Sequence, residues 1–99
     1  MVVHKIYRVV DYAIVDNYTL WMRFDDTSEQ VIDFEPVLYG PVFGPLRDQS
    51  LFNQVRLVAY AGCLEWPTGA DFDPETLHYW PQVKEEIIRR RQAWVLFDA

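Results

Sequence analysis

The sequence predicts an α+β fold. An N-terminal three-stranded meander plus one or two further strands form a small antiparallel β-sheet, with short helices and a C-terminal helix packed on it. Three observations point there. Residues 5–34 hold three runs rich in Val, Ile, Tyr and Phe, separated by short Asp-containing turns. Pro36, Gly40, Pro41, Gly44 and Pro45 then break regular structure. Beyond Pro81 the apolar residues adopt helical spacing. The 99 residues fit a single domain, 1–99, made of a core over 5–79 and a helical extension over 80–99. Hydrophobic residues make up 51% of the chain and aromatics 16%, enough for a core without disulfide or metal staples.

Residues 5–15 read as the first strand, and Asp16-Asn17 as a turn, because both side chains bond locally and tolerate left-handed backbone. Residues 18–24 alternate with period two. Tyr18, Leu20, Met22 and Phe24 share one face; Thr19, Trp21 and Arg23 share the other. Residues 25–28 turn again, and 29–34 form the third strand of an antiparallel meander. The apolar but irregular stretch 37–46 is expected to pack over the sheet with one short helical turn. Asp48 caps another such turn through Asn53. Residues 55–60 and 63–66 read as strands joined at Ala61-Gly62, the second ended by Pro67. Asp73-Pro74-Glu75 combines a cap, a first-position proline and an acid at the positive end of the helix dipole, so a short helix runs to about Tyr79.

A second helix is predicted over 82–94. Trp80, Ile87 and Trp94 lie seven residues apart, with Val83 between the first two, and make an apolar stripe. Glu85 with Arg89 and Glu86 with Arg90 are favourable four-residue pairs on the other side. The stripe either packs on the chain's own sheet or pairs with a symmetry mate or a different protein.

The net charge of −6 argues against a nucleic-acid surface, which needs clustered Lys and Arg. The last sixteen residues alone are weakly basic: Lys84, Arg89, Arg90 and Arg91 against Glu85, Glu86 and Asp98. An acidic body of this kind attracts a basic partner or serves solubility. The lone Cys63 permits no internal disulfide and suits a reducing cytoplasm. His4, Lys5 and Arg8 interrupt the apolar N-terminus, so no signal peptide is expected, and no run approaches the roughly 20 apolar residues that span a bilayer.

No sequence motif for phosphate, dinucleotide or zinc binding, or for a nucleophile elbow, is present. His4, His78 and Cys63 lack the close spacing of a zinc site. Asp71, Asp73 and Glu75 begin like a calcium loop, but Thr76 and Gln82 stand where glycine and glutamate belong, and capping explains these acids better. Asp25 and Asp26 fill a turn, while Asp33 and Glu35 end a strand. Apolar neighbours make Cys63 a buried, inert thiol, and the Arg89-Arg90-Arg91 run reads as a solvated helix face. No catalytic residue, metal ligand or cofactor is predicted.

Several segments carry a family resemblance: Tyr18 to Asp25, Asp33-Phe34, and Phe43-Gly44-Pro45-Leu46-Arg47-Asp48 followed by Phe52. They close with Leu64-Glu65-Trp66-Pro67-Thr68-Gly69-Ala70-Asp71-Phe72-Asp73-Pro74-Glu75-Thr76-Leu77. Over roughly residues 5–79 the chain resembles the bacterial domain-of-unknown-function family 2442. It departs at Asp26-Thr27, where the family often has Asp-Gly; Thr resists positive φ, so a different turn type is expected there. The resemblance implies a small antiparallel sheet with short helices and transfers no catalytic residue. Some relatives accompany a second small protein in an arrangement resembling a toxin–antitoxin pair. Others carry a DNA-binding helical extension, for which the segment after Tyr79 is too short.

Two functions are therefore expected to compete. The first is a non-enzymatic protein-interaction module, antitoxin-like or regulatory, contacting a protein partner or a second copy through Trp80, Val83, Ile87 and Trp94. The alternative is a small-molecule-binding or enzymatic domain with a pocket beside residues 36–45, lined by Tyr39, Phe43 and Trp66.

Overall fold

The computed structural model describes residues 7–97, and side chains through residue 93. Two antiparallel sheets organise it. The first, in the order β1-β2-β3, contains β1 (Val9–Asp16), β2 (Thr19–Phe24) and β3 (Glu29–Asp33). Helices α1 (Gly40–Phe43) and α2 (Gln49–Phe52) follow, with 3-10 turns at Glu35–Val37 and Gly44–Arg47. The second sheet, in the order β4-β5-β6, contains β4 (Arg56–Val58), β5 (Cys63–Glu65) and β6 (Asp71–Phe72). Helices α3 (Pro74–His78) and α4 (Trp80–Phe97) complete the chain. Among the described residues no helix is long and apolar enough to cross a membrane.

The class and the meander are as the sequence predicts. β6 escapes a periodicity reading because two residues leave no alternation to detect. The segment 37–46 folds into more helical turns than the one expected. α4 is longer than expected: it starts at Trp80, with Pro81 inside its first turn, where a missing N–H costs nothing.

Period two in β2 sets the first layer. Leu20, Met22 and Phe24 point inward and are fully or almost fully buried, while Trp21 and Arg23 face out. β1 carries register shifts between Val9 and Asp11 and between Ile14 and Asp16, so Val10 and Val15 are bulge residues. The first hairpin puts its left-handed residue at Tyr18 (φ 54°), not at Asp16-Asn17. Tyr18 is held there at three points. Phe34 N donates to Tyr18 O at 2.8 Å, the Tyr18 hydroxyl donates to Arg47 O, and its ring meets Phe52 edge-on.

The second hairpin corrects the expectation for Thr27, which does adopt positive φ (72°). Thr27 N donates to Phe24 O at 3.0 Å, and the next residue is clamped because Ser28 N and Ser28 Oγ both donate to Asp26 Oδ1. These bonds offset the strain that a β-branched residue suffers there.

One aromatic cluster joins the layers. The buried ring of Phe34 lies 5.3–6.0 Å from the rings of Phe52, Trp66, Phe72 and Trp80. Trp66 is 1% exposed and its Nε1 donates to Phe52 O at 2.9 Å, so the only polar atom of its side chain is satisfied inside. Asp48 and Asp73 cap α2 and α3, accepting from Ser50 N and Thr76 N. Asp71, read from sequence as a cap, instead sits in β6 opposite Glu65.

Gly62 couples the sheets. Its carbonyl accepts from Val9 N at 2.8 Å, its φ is +68°, and a Cβ there would lie 2.7 Å from Arg8 Cβ and 2.9 Å from Arg8 Cα. Gly62→Ala is therefore expected to destabilise by about 2–4 kcal/mol in urea unfolding, combining left-handed strain with overpacking. Thr27→Gly is expected to stabilise by about 0.5–1 kcal/mol, because relief of left-handed strain outweighs the added chain entropy. A loss of stability on Thr27→Gly would mean that the clamp, not the backbone, sets that turn's energy.

Candidate functional site

Three features have the chemistry to be functional. The first is the outer face of the meander. Register aligns Ala13, Trp21 and Val31 in one cross-strand row, next to a row of Asp11, Arg23 and Glu29. Val31 is 63% exposed although it is β-branched and apolar. The Trp21 indole is half-buried; its Nε1 donates to Glu29 Oε1 at 2.6 Å, and the Arg23 guanidinium stands 6.0 Å from its ring. Arg23 also pairs with Asp11 at 3.7 Å.

The second is a titratable cluster where α3 meets the β2–β3 turn. His78 Nε2 lies 2.9 Å from Asp26 Oδ2, both side chains being largely buried. The imidazole stacks on Tyr7 at 3.7 Å, and the Tyr7 and Tyr79 hydroxyls are 2.7 Å apart. Ser28, through its side chain and its backbone, holds the Asp26 carboxyl well below the usual carboxylate range, with His78 adding to the effect. The hydrogen bond to Tyr79 first, and burial second, push the Tyr7 phenol up to about 12. The dyad resembles half of a hydrolytic triad, but the second ring nitrogen, His78 Nδ1, is buried and has no hydrogen-bond partner among the described residues. Ser28 Oγ donates to Asp26 and not to His78. A triad would need a hydroxyl on the imidazole, and among the described residues the only side-chain partner of the ring nitrogens is Asp26.

The third is a pocket of about 570 Å³ between α1, the β5–β6–α3 segment and α4. Phe43, Phe72 and Ile87 supply apolar wall, and Cys63, Asp71 and Arg91 also line it. The Arg91 guanidinium lies 4.2 Å from the centroid of the Phe43 ring. Burial lowers its pKa, and among the described residues it makes no ion pair or side-chain hydrogen bond. Burial, followed by Asp71, Glu65 and Asp73, pushes the Cys63 thiol up, so the neutral thiol dominates at neutral pH and nucleophilicity is low. No group of three or more metal-ligating side chains forms among the described residues.

The model of a protein family of unknown function, DUF2442, matches residues 9–82. The chain is a member of the DUF2442 family. No curated protein and no solved structure matches it. The match encompasses both sheets and α3 and stops after the first residues of α4, so most of that helix, Arg91 included, lies beyond the DUF2442 region.

The residues singled out from sequence separate spatially. Trp80 is 6% exposed, against Phe34 and Phe72. Val83 and Ile87 are half-buried, and Ile87 packs on the core and lines the pocket. Trp94 is in α4, but its side chain lies outside the described residues, as does His4. Phe43 lines the pocket with Ile87; Trp66 is in the core, and Tyr39 sits apart beneath the Arg47 guanidinium at 4.9 Å. Arg91, read as solvated, is half-buried, whereas Arg90 is exposed and pairs with Glu86 at 2.9 Å. A signal for Arg91 existed: it follows Ile87 by four residues and so continues the helix face that begins at Trp80. The Asp26–His78 pair had none, since its partners are 52 residues apart.

Because the folded pKa of Asp26 is depressed, its contribution is fully present above the unfolded value, about 3.9, and is lost as pH falls below it. Asp26→Asn is expected to lower Tm at neutral pH and to flatten the fall of Tm between pH 5 and pH 2. Parallel wild-type and Asp26→Asn curves would show that the clamp contributes nothing.

Proposed function

We propose that this chain is a non-enzymatic protein-interaction module. The observation that supports the reading is the outer face of the meander. A row of Ala13, half-buried Trp21 and exposed Val31 is flanked by Arg23, Asp11 and Glu29, and no described element packs on Val31 closely enough to bury it. Trp and Arg dominate binding energy where they occur together, and an apolar centre with a charged rim is how interfaces are built. Trp21 is already held by Glu29, so little side-chain freedom remains to be lost on association.

The finer reading is an antitoxin-like or regulatory half of a two-gene unit, acting in a bacterial cytoplasm on a second small protein. The apolar stretch of α4 ending in Trp94 is a second contact, while Trp80 serves the fold. The buried Nδ1 of His78 and the raised pKa of Cys63 fit a chain that does no acid–base or thiol chemistry.

The test is recovery of the tagged chain from its own cells, with Val31→Glu and Trp94→Ala alongside wild type. One stoichiometric small protein is expected with wild type and is expected to be weakened at least about tenfold by Val31→Glu, with Tm unchanged. A chain recovered alone and monomeric, or a partner retained by both variants, would sink the proposal.

A second reading, small-molecule binding, is favoured by one observation, the pocket beneath Arg91. Its volume falls within the roughly 300–1,000 Å³ range of ligand sites, and its lining mixes apolar side chains (Val42, Phe43, Phe72, Ile87) with the charged Asp71, Asp73 and Arg91.

A further inference from the structure

We propose that the pocket between α1, β5–β6–α3 and α4 binds a small organic monoanion, a single carboxylate on an apolar body, with the carboxylate on Arg91 and the body against Phe43, Phe72 and Ile87. The inference rests on the ligand-binding reading of that pocket and names its ligand class.

Arg91 carries the first half. A guanidinium drawn partly out of water normally recovers its hydration through a carboxylate fork. Four ion pairs are formed among the described residues, and Arg91 is in none of them. The guanidinium carbon lies 4.2 Å from the centroid of the Phe43 ring, a cation–π contact that uses none of its N–H donors, and among the described residues no acceptor takes them. Glu86, by contrast, is taken by Arg90 on the opposite side of α4. The helix therefore separates a solvated, paired arginine from a half-buried, unpaired one in the next position.

The walls carry the second half. Phe43 is 6% exposed and Phe72 6% exposed, both fixed in the aromatic cluster, and Ile87 packs on that cluster from the helix. They form a rigid apolar surface one helical turn from the guanidinium, since Ile87 precedes Arg91 by four residues. A ligand with both an anionic end and an apolar body gains from both.

Charge then limits the ligand. Asp71 and Asp73 line the same pocket. Asp73 is engaged with Thr76 through both carboxylate oxygens, and the Asp71 carboxylate makes no ion pair or hydrogen bond among the described residues. Two acids against one arginine leave the pocket net negative, which disfavours a dianion such as phosphate and admits a monoanion held at the Arg91 end.

The experiment is calorimetric titration of the full chain with 3-phenylpropionate, the uncharged 3-phenylpropanol and inorganic phosphate, repeated on Arg91→Gln and Arg91→Lys. Saturable binding of 3-phenylpropionate is expected, with 3-phenylpropanol weaker by about tenfold or more and no binding of phosphate. Arg91→Gln is expected to abolish the preference of carboxylate over alcohol, and Arg91→Lys to keep part of it, which excludes misfolding as the cause. If alcohol and carboxylate bind equally to wild type, the pocket takes ligands but the carboxylate assignment is wrong. If neither binds at millimolar concentration, the ligand-binding reading fails with it. Phosphate binding as tightly as 3-phenylpropionate would overturn the monoanion.

Discussion

Both sheets, the irregular middle of the chain and the last helix meet on the ring of Phe34. Phe34 follows β3 directly, so the meander delivers it; Phe52 comes from α2, Trp66 and Phe72 from the second sheet, and Trp80 from the first turn of α4. Each half-sheet is too small to stand alone, because three short strands bury little unless another layer covers them. The aromatic cluster supplies that cover in a compact volume. The hydrogen bond from Trp66 to Phe52 O makes it directional as well as hydrophobic, since a flipped indole would take its buried N–H away from that acceptor.

This dependence explains what could and could not be read along the chain. β2 alternates over six residues and α3 opens on Asp73 and Pro74, so local physics specified both. Thr27 was misread because propensity was weighed without the Asp26–Ser28 bonds that offset the cost. β6 was missed because a strand of two residues exists only through its partner β5. The Trp80–Ile87–Trp94 repeat was visible, but not that its first member lies inside the core while Arg91, between the other two, flanks a pocket. Periodicity locates a face of a helix; tertiary contact alone decides what that face meets.

The distribution of polar groups has a common theme. Each of the clusters that resembles chemistry is tied to holding the chain together. Asp26 and His78 fasten the β2–β3 turn to α3, Asp73 caps, and Cys63, half-buried in β5 rather than fully buried as the sequence suggests, carries a thiol held neutral. The groups left over are the exposed Val31 on the meander's outer face and the N–H donors of the half-buried Arg91, which take no hydrogen bond or ion pair among the described residues. Interactions with other molecules are most economically sought where internal bonding is already complete.

The two bulges of β1 bear on a different matter, the growth of assemblies. β1 is an edge strand of eight residues, carrying Val10, Ile14 and Val15 at 43–54% exposure, the composition of a template for cross-β stacking. Bulges at Val10 and Val15 interrupt the regular spacing of its outward N–H and C=O groups and increase its twist. A flat incoming strand would meet only the four residues between them, Asp11 to Ile14, in register. Bulges of this kind make an apolar, long edge a poorer template for fibre growth.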